Sequence, residues 1–175
     1  MPCSALSQSR LRELLAGFLG KRVLVVGDCM LDEYLWGDVR RISPEAPVMV
    51  VEERRRTFAA GGASNVAANL VAMEASACMV AVIGADAAGE ALRAELARQG
   101  VCHAGLVMDT SRPTTQKTRV VAHNQQVLRV DREDRTPISP QVADELVDRV
   151  RAELDQSDAV LFSDYSKGVL TQEVI

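Results

Sequence analysis

The chain has 175 residues, with 20 Lys and Arg against 24 Asp and Glu for a formal charge of −4. That is room for one domain with a proper core, and it gives no general attraction to nucleic acid or acidic lipid. Apolar residues at 47% and charged residues at 25% exclude disorder, collagen and coiled coil, and aromatics at 3% leave the core to aliphatic side chains.

Leu11, Leu14, Leu15, Phe18 and Leu19 recur on one helical face, with Ser7 or Ser9 as cap and Gly20 at the end. Arginines inside this pattern argue against a signal peptide or a membrane span. Residues 22–27 (RVLVVG) are apolar on both faces and predict a buried strand. Residues 32–58 carry turn residues, Pro44, Pro47 and half-polar runs, which predict short strands in an exposed sheet. The stretch 59–73 passes from the glycine pair into a small-residue helix, and a buried strand follows over 78–84. A helix over 86–100 is capped by Asp86 and ended by Gly100, and 101–109 predicts a third strand. Residues 116–133 predict a hairpin turning near His123–Asn124. Ser139–Pro140 starts a helix, 158–168 runs from a buried strand into a polar loop, and 171–175 predicts a first helical turn.

Strand–helix alternation implies a mostly parallel sheet with helices on both faces, an α/β fold. Ligands in such sheets sit beyond the carboxyl ends of the strands. Three polar clusters fall there: Gly27–Asp28 to Asp32, Gly84 to Asp86, and Ser163 to Lys167. Cys3, Cys29, Cys78 and Cys102 form no C-x-x-C pair and read as reduced thiols, and two histidines offer no zinc cluster. The chain would be cytoplasmic.

Gly61–Gly62–Ala63–Ser64–Asn65 opens a helix. Glycines let a hydroxylated ligand approach the backbone, and Asn65 both donates and accepts; the plain alternative is a tight turn capped by Ser64. Asp28 and Asp32 could accept from vicinal hydroxyls, or could cap a loop and pair with arginines. Lys167 could steady phosphate charge, or pair with Asp164. Lys117 and Arg119 alternate on one side of a strand, on a phosphate site or an exposed face. Neither a Walker A loop nor a G-x-G-x-x-G fingerprint occurs, which leaves a nucleotide-binding Rossmann module without support.

Together these stretches resemble the ribokinase (PfkB) family of sugar kinases. The run 61–67 (GGASNVA) is similar to that family's first signature, and 83–89 (IGADAAG) to its G-x-D-x-x-G turn. More particularly, GDCMLD (27–32), RISPEAPV (41–48), NQQVLRVD (124–131) and SDYSKG (163–168) resemble the kinases of D-glycero-β-D-manno-heptose 7-phosphate. The resemblance covers residues from about 22 to the end and implies a ribokinase-like sheet with a small β lid over the sugar, its strands at about 34–58 and 116–131. It implies transfer of the ATP γ-phosphate to the anomeric hydroxyl, with ATP and Mg as cofactors of the complete enzyme. By position, Asp32, Gly61, Gly62 and Asn65 would contact the sugar, Asp164 would lie near the reacting end, and Lys167 near the phosphates. Arg41, Lys117 and Arg119 would hold the 7-phosphate.

The family's Gly-Ala-Gly-Asp motif, with base and anion hole, is absent from these residues, as are its Asn-x-x-Glu motif and adenine pocket. Residues 1–175 are therefore expected to be the N-terminal part of one kinase domain, its C-terminal part missing and its base beyond Ile175. No catalytic residue, no metal ligand and no tightly bound cofactor are expected of this chain alone. The expected partners are a sugar phosphate and a second copy paired through the lid. The alternatives are another sugar kinase of the family, or a non-catalytic remnant that serves as a dimerisation module.

Overall fold

The computed structural model describes residues 6–175. Helix α1 spans Gln8–Ala16, with Ser7 as the cap that accepts from the Arg10 N–H. Strand β1 (Arg22–Gly27) is the aliphatic run expected from the sequence. It pairs in parallel with β4 (Ser76–Gly84) on one side and β8 (Ala159–Ser163) on the other, and β5 (Cys102–Asp109) extends the sheet beyond β4. Every strand of this sheet points the same way, so all the carboxyl ends lie at one edge.

Both faces of the sheet are covered because β1 is apolar at consecutive positions. Val23 and Val25 pack with Met79 and Ile83 beneath α2 (Ala63–Ala72) and α3 (Ala87–Arg98). Leu24 and Val26 pack on the opposite face with Val80, Val107 and Leu146 of α4 (Pro140–Leu154). Each such aliphatic side chain, wholly removed from water, contributes roughly 1.5–3 kcal/mol. The caps expected at Asp86 and Ser139 are present: Asp86 accepts from the Gly89 N–H at 2.9 Å and Ser139 from the Val142 N–H at 3.3 Å.

The second sheet departs from expectation in length. In place of several short strands, β2 (Cys29–Ile42) and β3 (Met49–Gly62) are two antiparallel strands of 14 residues each. Register shifts at Trp36/Gly37 and Val39/Arg41 break the alternation that would have marked them as long. Pro44 and Pro47 lie in the connection at 43–48, as expected. Strands β6 (Gln116–Ala122) and β7 (Gln125–Arg132) complete the lid, with β6 parallel to β2. The hairpin turns where expected, with His123 and Asn124 both at positive φ. Residues 172–174 form a turn and not the start of a helix.

Candidate functional site

The chain crosses from the central sheet to the lid through a single residue, Asp28, between β1 and β2. Here β1 is flanked by β4, reached through α2 on one face, and by β8, reached through α4 on the other. That reversal of direction is where open α/β sheets hold their ligands.

Asp28 is 1% exposed, and its carboxylate is committed to the backbone of the polar loop after β8. Oδ2 accepts from the N–H groups of Tyr165 at 2.8 Å and Lys167 at 3.0 Å, and Oδ1 from Val169 at 3.2 Å. Arg112, paired with Asp109 at 3.0 Å, donates to the carbonyls of Thr136 at 3.0 Å and Pro137 at 3.1 Å. The loop carrying Lys167 is thus held by a buried carboxylate, and the segment it crosses by a buried guanidinium. Of the readings open for Asp28, the loop cap is the one the structure shows.

Asp32 lies on β2 opposite Ala59 of β3 and Lys117 of β6. Its carboxylate reaches over the glycine pair at the end of β3: a side chain at Gly61 would meet Asp32 Oδ2 at 2.8 Å. Gly62 has φ +58°, and a Cβ there would lie 2.5 Å from the Asp28 carbonyl, so both glycines are required by close approach. Gly62 is the N-cap of α2, and the first helical N–H, of Ala63, donates to the Asp28 carbonyl at 3.0 Å. Ser64 is not the cap; it is wholly buried in the first turn, its hydroxyl without a partner. Asn65, one position on, is exposed.

Arg119 donates to Asp32 at 2.6 Å and lies over the Tyr34 ring at 5.3 Å. Lys117 lies 2.9 Å from Asp131 and 3.5 Å from Glu133. Lys167 does not pair with Asp164. Its ammonium, 9% exposed, lies 2.8 Å from Glu133, so that two lysines from different elements share one carboxylate. The Lys167 ammonium, with Arg135 and Lys117, pulls Glu133 down to about 2. Asp164 is exposed and accepts from the Ser166 N–H at 2.7 Å.

The structure therefore brings together Asp32, Gly61, Gly62, Lys117 and Arg119, with Lys167 joined to them through Glu133. Arg41 stands apart. It is nine residues along β2 from Asp32, on the order of 30 Å by strand rise, exposed at the lid tip opposite Val50. His103 and His123 also lie outside the cluster, His123 at the lid turn. Among the described residues no group of three His, Cys, Asp or Glu side chains could hold a metal ion.

The model of the pfkB family carbohydrate kinases matches residues 21–174, nearly the whole chain. The chain belongs to the pfkB family. It is 47% identical over 161 residues to the bifunctional protein HldE of Wolinella succinogenes, covering 92% of this chain and 34% of that protein. The HldE protein of Desulfatibacillum aliphaticivorans is 49% identical over 158 residues, 90% of this chain and 32% of the relative. The chain thus spans about one third of the length of the curated relatives it matches. A carbohydrate kinase from Agrobacterium tumefaciens aligns with TM-score 0.61 at 21% identity, covering 81% of this chain and 45% of that one. Arabidopsis thaliana ribokinase aligns with TM-score 0.55 at 20% identity, over 82% and 45%. These structural likenesses show the ribokinase-like α/β fold.

Sequence reasoning on this pfkB chain missed Glu133, the shared partner of both lysines, and Arg112. Glu133 had a legible signal. It stands two residues after Asp131, which pairs with Lys117 across β6 and β7, and alternation puts both on the lysine's side. Arg112 had little: Asp109 is near in sequence, but the carbonyls of Thr136 and Pro137 that it joins come from a distant part of the chain.

Proposed function

We propose that this chain is the sugar-binding part of a kinase for D-glycero-β-D-manno-heptose 7-phosphate, acting in the cytoplasm on the route to ADP-heptose and lipopolysaccharide. The observation that carries the proposal is the Asp32 carboxylate poised over the Gly61–Gly62 backbone with the cations of β6 beside it. Glycines without side chains leave the backbone open to a ring hydroxyl, and Asp32 accepts hydrogen bonds from vicinal hydroxyls. The HldE relatives, at 47–49% identity, support the choice of sugar.

Each residue's role follows from its chemistry. Asp32, Gly61, Gly62 and Asn65 orient the sugar. Arg119 gives part of its guanidinium to Asp32 and keeps further N–H donors for phosphate, and Lys117 adds a second cation. Lys167, held by its backbone on Asp28, sits beyond the end of β8 with Asp164, toward the reacting end. Arg41, remote along β2, has no role in the same sugar site within one chain.

In the complete enzyme ATP would supply the γ-phosphate and Mg²⁺ would accompany it. Among the described residues no group of His, Cys, Asp or Glu side chains forms a donor set for the metal. The anomeric hydroxyl must lose a proton as it attacks phosphorus, and no Gly-Ala-Gly-Asp stands among these 175 residues to accept it. ADP release from heptose 7-phosphate and ATP is the test. This chain alone should give negligible turnover, and ordinary turnover would overturn the division of labour proposed. A panel of other phosphosugars separates heptose from the substrates of related kinases.

A second reading, pairing of two copies through the lid, is favoured by one observation. The lid face opposite Asp32 exposes Val130 at 53%, and also Val48 at 56%, Met49 at 54% and Leu128 at 55%, which with Leu35 and Val120 line a cavity of 570 Å³. So large an apolar face on a lid is the composition of a homodimer contact.

A further inference from the structure

Far from the sugar site, at the amino ends of the central strands, two thiols face each other. Cys78 of β4 and Cys102 of β5 are direct partners in the parallel ladder, and their Sγ atoms lie 3.0 Å apart. A register shift follows at once, between Cys78 and Val80, and loosens the ladder where the pair sits. Cys78 is buried and Cys102 exposed. The two line one cavity with Arg22, whose guanidinium is bound by Glu153. Neighbouring strands run about 4.8 Å apart, inside the Cα separation that a disulfide requires. The sequence hides this pair, because the two cysteines are 24 residues apart with all of α3 between them.

We propose that Cys78 and Cys102 form a reversible intramolecular disulfide, a redox modification site that staples β5 to β4 at the end of the sheet opposite the sugar. The oxidant is a low-molecular-weight disulfide such as oxidised glutathione. The exposed Cys102 attacks it as a thiolate, forming a mixed disulfide and releasing one thiol. Cys78 gives up its proton and attacks Cys102 Sγ. The Cys78–Cys102 bond forms as the mixed disulfide breaks, and the second thiol leaves with that proton. Two protein thiols are oxidised and one glutathione disulfide is reduced to two thiols. Burial raises the Cys78 thiol above its ordinary value, with Cys102 and then Glu153 adding to it, so Cys102 is the residue that starts the exchange. Cys29 is an internal control. It is buried against the Val82 carbonyl at 3.3 Å, and burial pushes its thiol up to about 12. Cys3 lies outside the described residues.

The test incubates the reduced chain with oxidised glutathione, blocks free thiols under denaturing conditions and maps linked peptides by mass spectrometry. The expected product is a chain lighter by two hydrogens with no covalent link to another chain, with Cys78 linked to Cys102, Cys29 free, a raised thermal midpoint, and full reversal by dithiothreitol. Cys102→Ser should abolish the link and leave Cys78 a free thiol, and Cys3→Ser should leave the link intact. Glutathione retained on Cys102 with Cys78 free would overturn the proposal. So would links through Cys3 or between chains in place of this pair, or no reaction at Cys102.

Discussion

Asp28 shows how one carboxylate can set the position of the loop that carries Lys167. Three backbone N–H groups of the Lys167 loop converge on it. A carboxylate can accept all three, whereas an asparagine presents an N–H₂ to at least one donor. Asp28→Asn should therefore destabilise the fold by about 1–3 kcal/mol, the cost of a buried unsatisfied donor. Urea unfolding checks this, and an unchanged midpoint would show that the loop is held by other means. Glu133 makes a second prediction, in pH. Its pKa is depressed from 4.5 to about 2 by Lys167 first, so it binds fewer protons folded than unfolded. Its contribution, about 1–3 kcal/mol, is complete above its ordinary value and disappears as pH falls from about 5 through about 2. Stability profiles of the wild type and Glu133→Gln should converge over that acid range. Parallel profiles would show that the lysine pairs add nothing. Of the two readings open for Lys167, pairing with Asp164 is not what the structure shows; the lysine meets Glu133 instead. The Asp164 carboxylate is used by its own turn.

At the scale of elements, legibility followed periodicity. Strand β1, helix α3 and helix α4 show an unbroken apolar pattern with a cap at the start, and their bounds agree with expectation to within about two residues. The lid strands were read as fragments because bulges at Trp36/Gly37 and Val39/Arg41 shift the alternation twice in one strand. Helix α2 begins directly after the glycine pair, as expected, and the positive φ of Gly62 marks the boundary. Each lid strand, once recognised as continuous, separates two chemistries. One face carries Asp32, Lys117 and Arg119; the other carries Leu35, Val120, Leu128 and Val130. Because Leu128 and Val130 are already more than half exposed, polar substitutions there cost the monomer little. Wild-type chain should sediment as a dimer and Leu128→Glu/Val130→Lys as a folded monomer. A wild-type monomer at micromolar concentration would contradict pairing through the lid.

For the molecule as a whole, the central feature is the position of β1. It is an inner strand of the four-stranded parallel sheet, its neighbours arrive from opposite faces, and it leads through one residue into the lid. Sheet edge, glycine turn and lid cations therefore meet at Asp28 and Asp32, although the residues involved range from 28 to 167. The family motifs singled out Asp32, Gly61, Gly62, Lys117 and Arg119 in advance, and the fold brings these residues together. The link from Lys167 through Glu133 to Lys117 was not legible in advance, since it exists only once β6, the segment after β7 and the β8 loop are folded against one another. The most direct test of the account is a calorimetric titration of D-glycero-β-D-manno-heptose 7-phosphate into the 175-residue chain, with and without Asp32→Ala. The account predicts saturable one-site binding that Asp32→Ala weakens at least tenfold, about 1.4 kcal/mol. Undiminished binding by the variant, or no binding by the wild type, would contradict it.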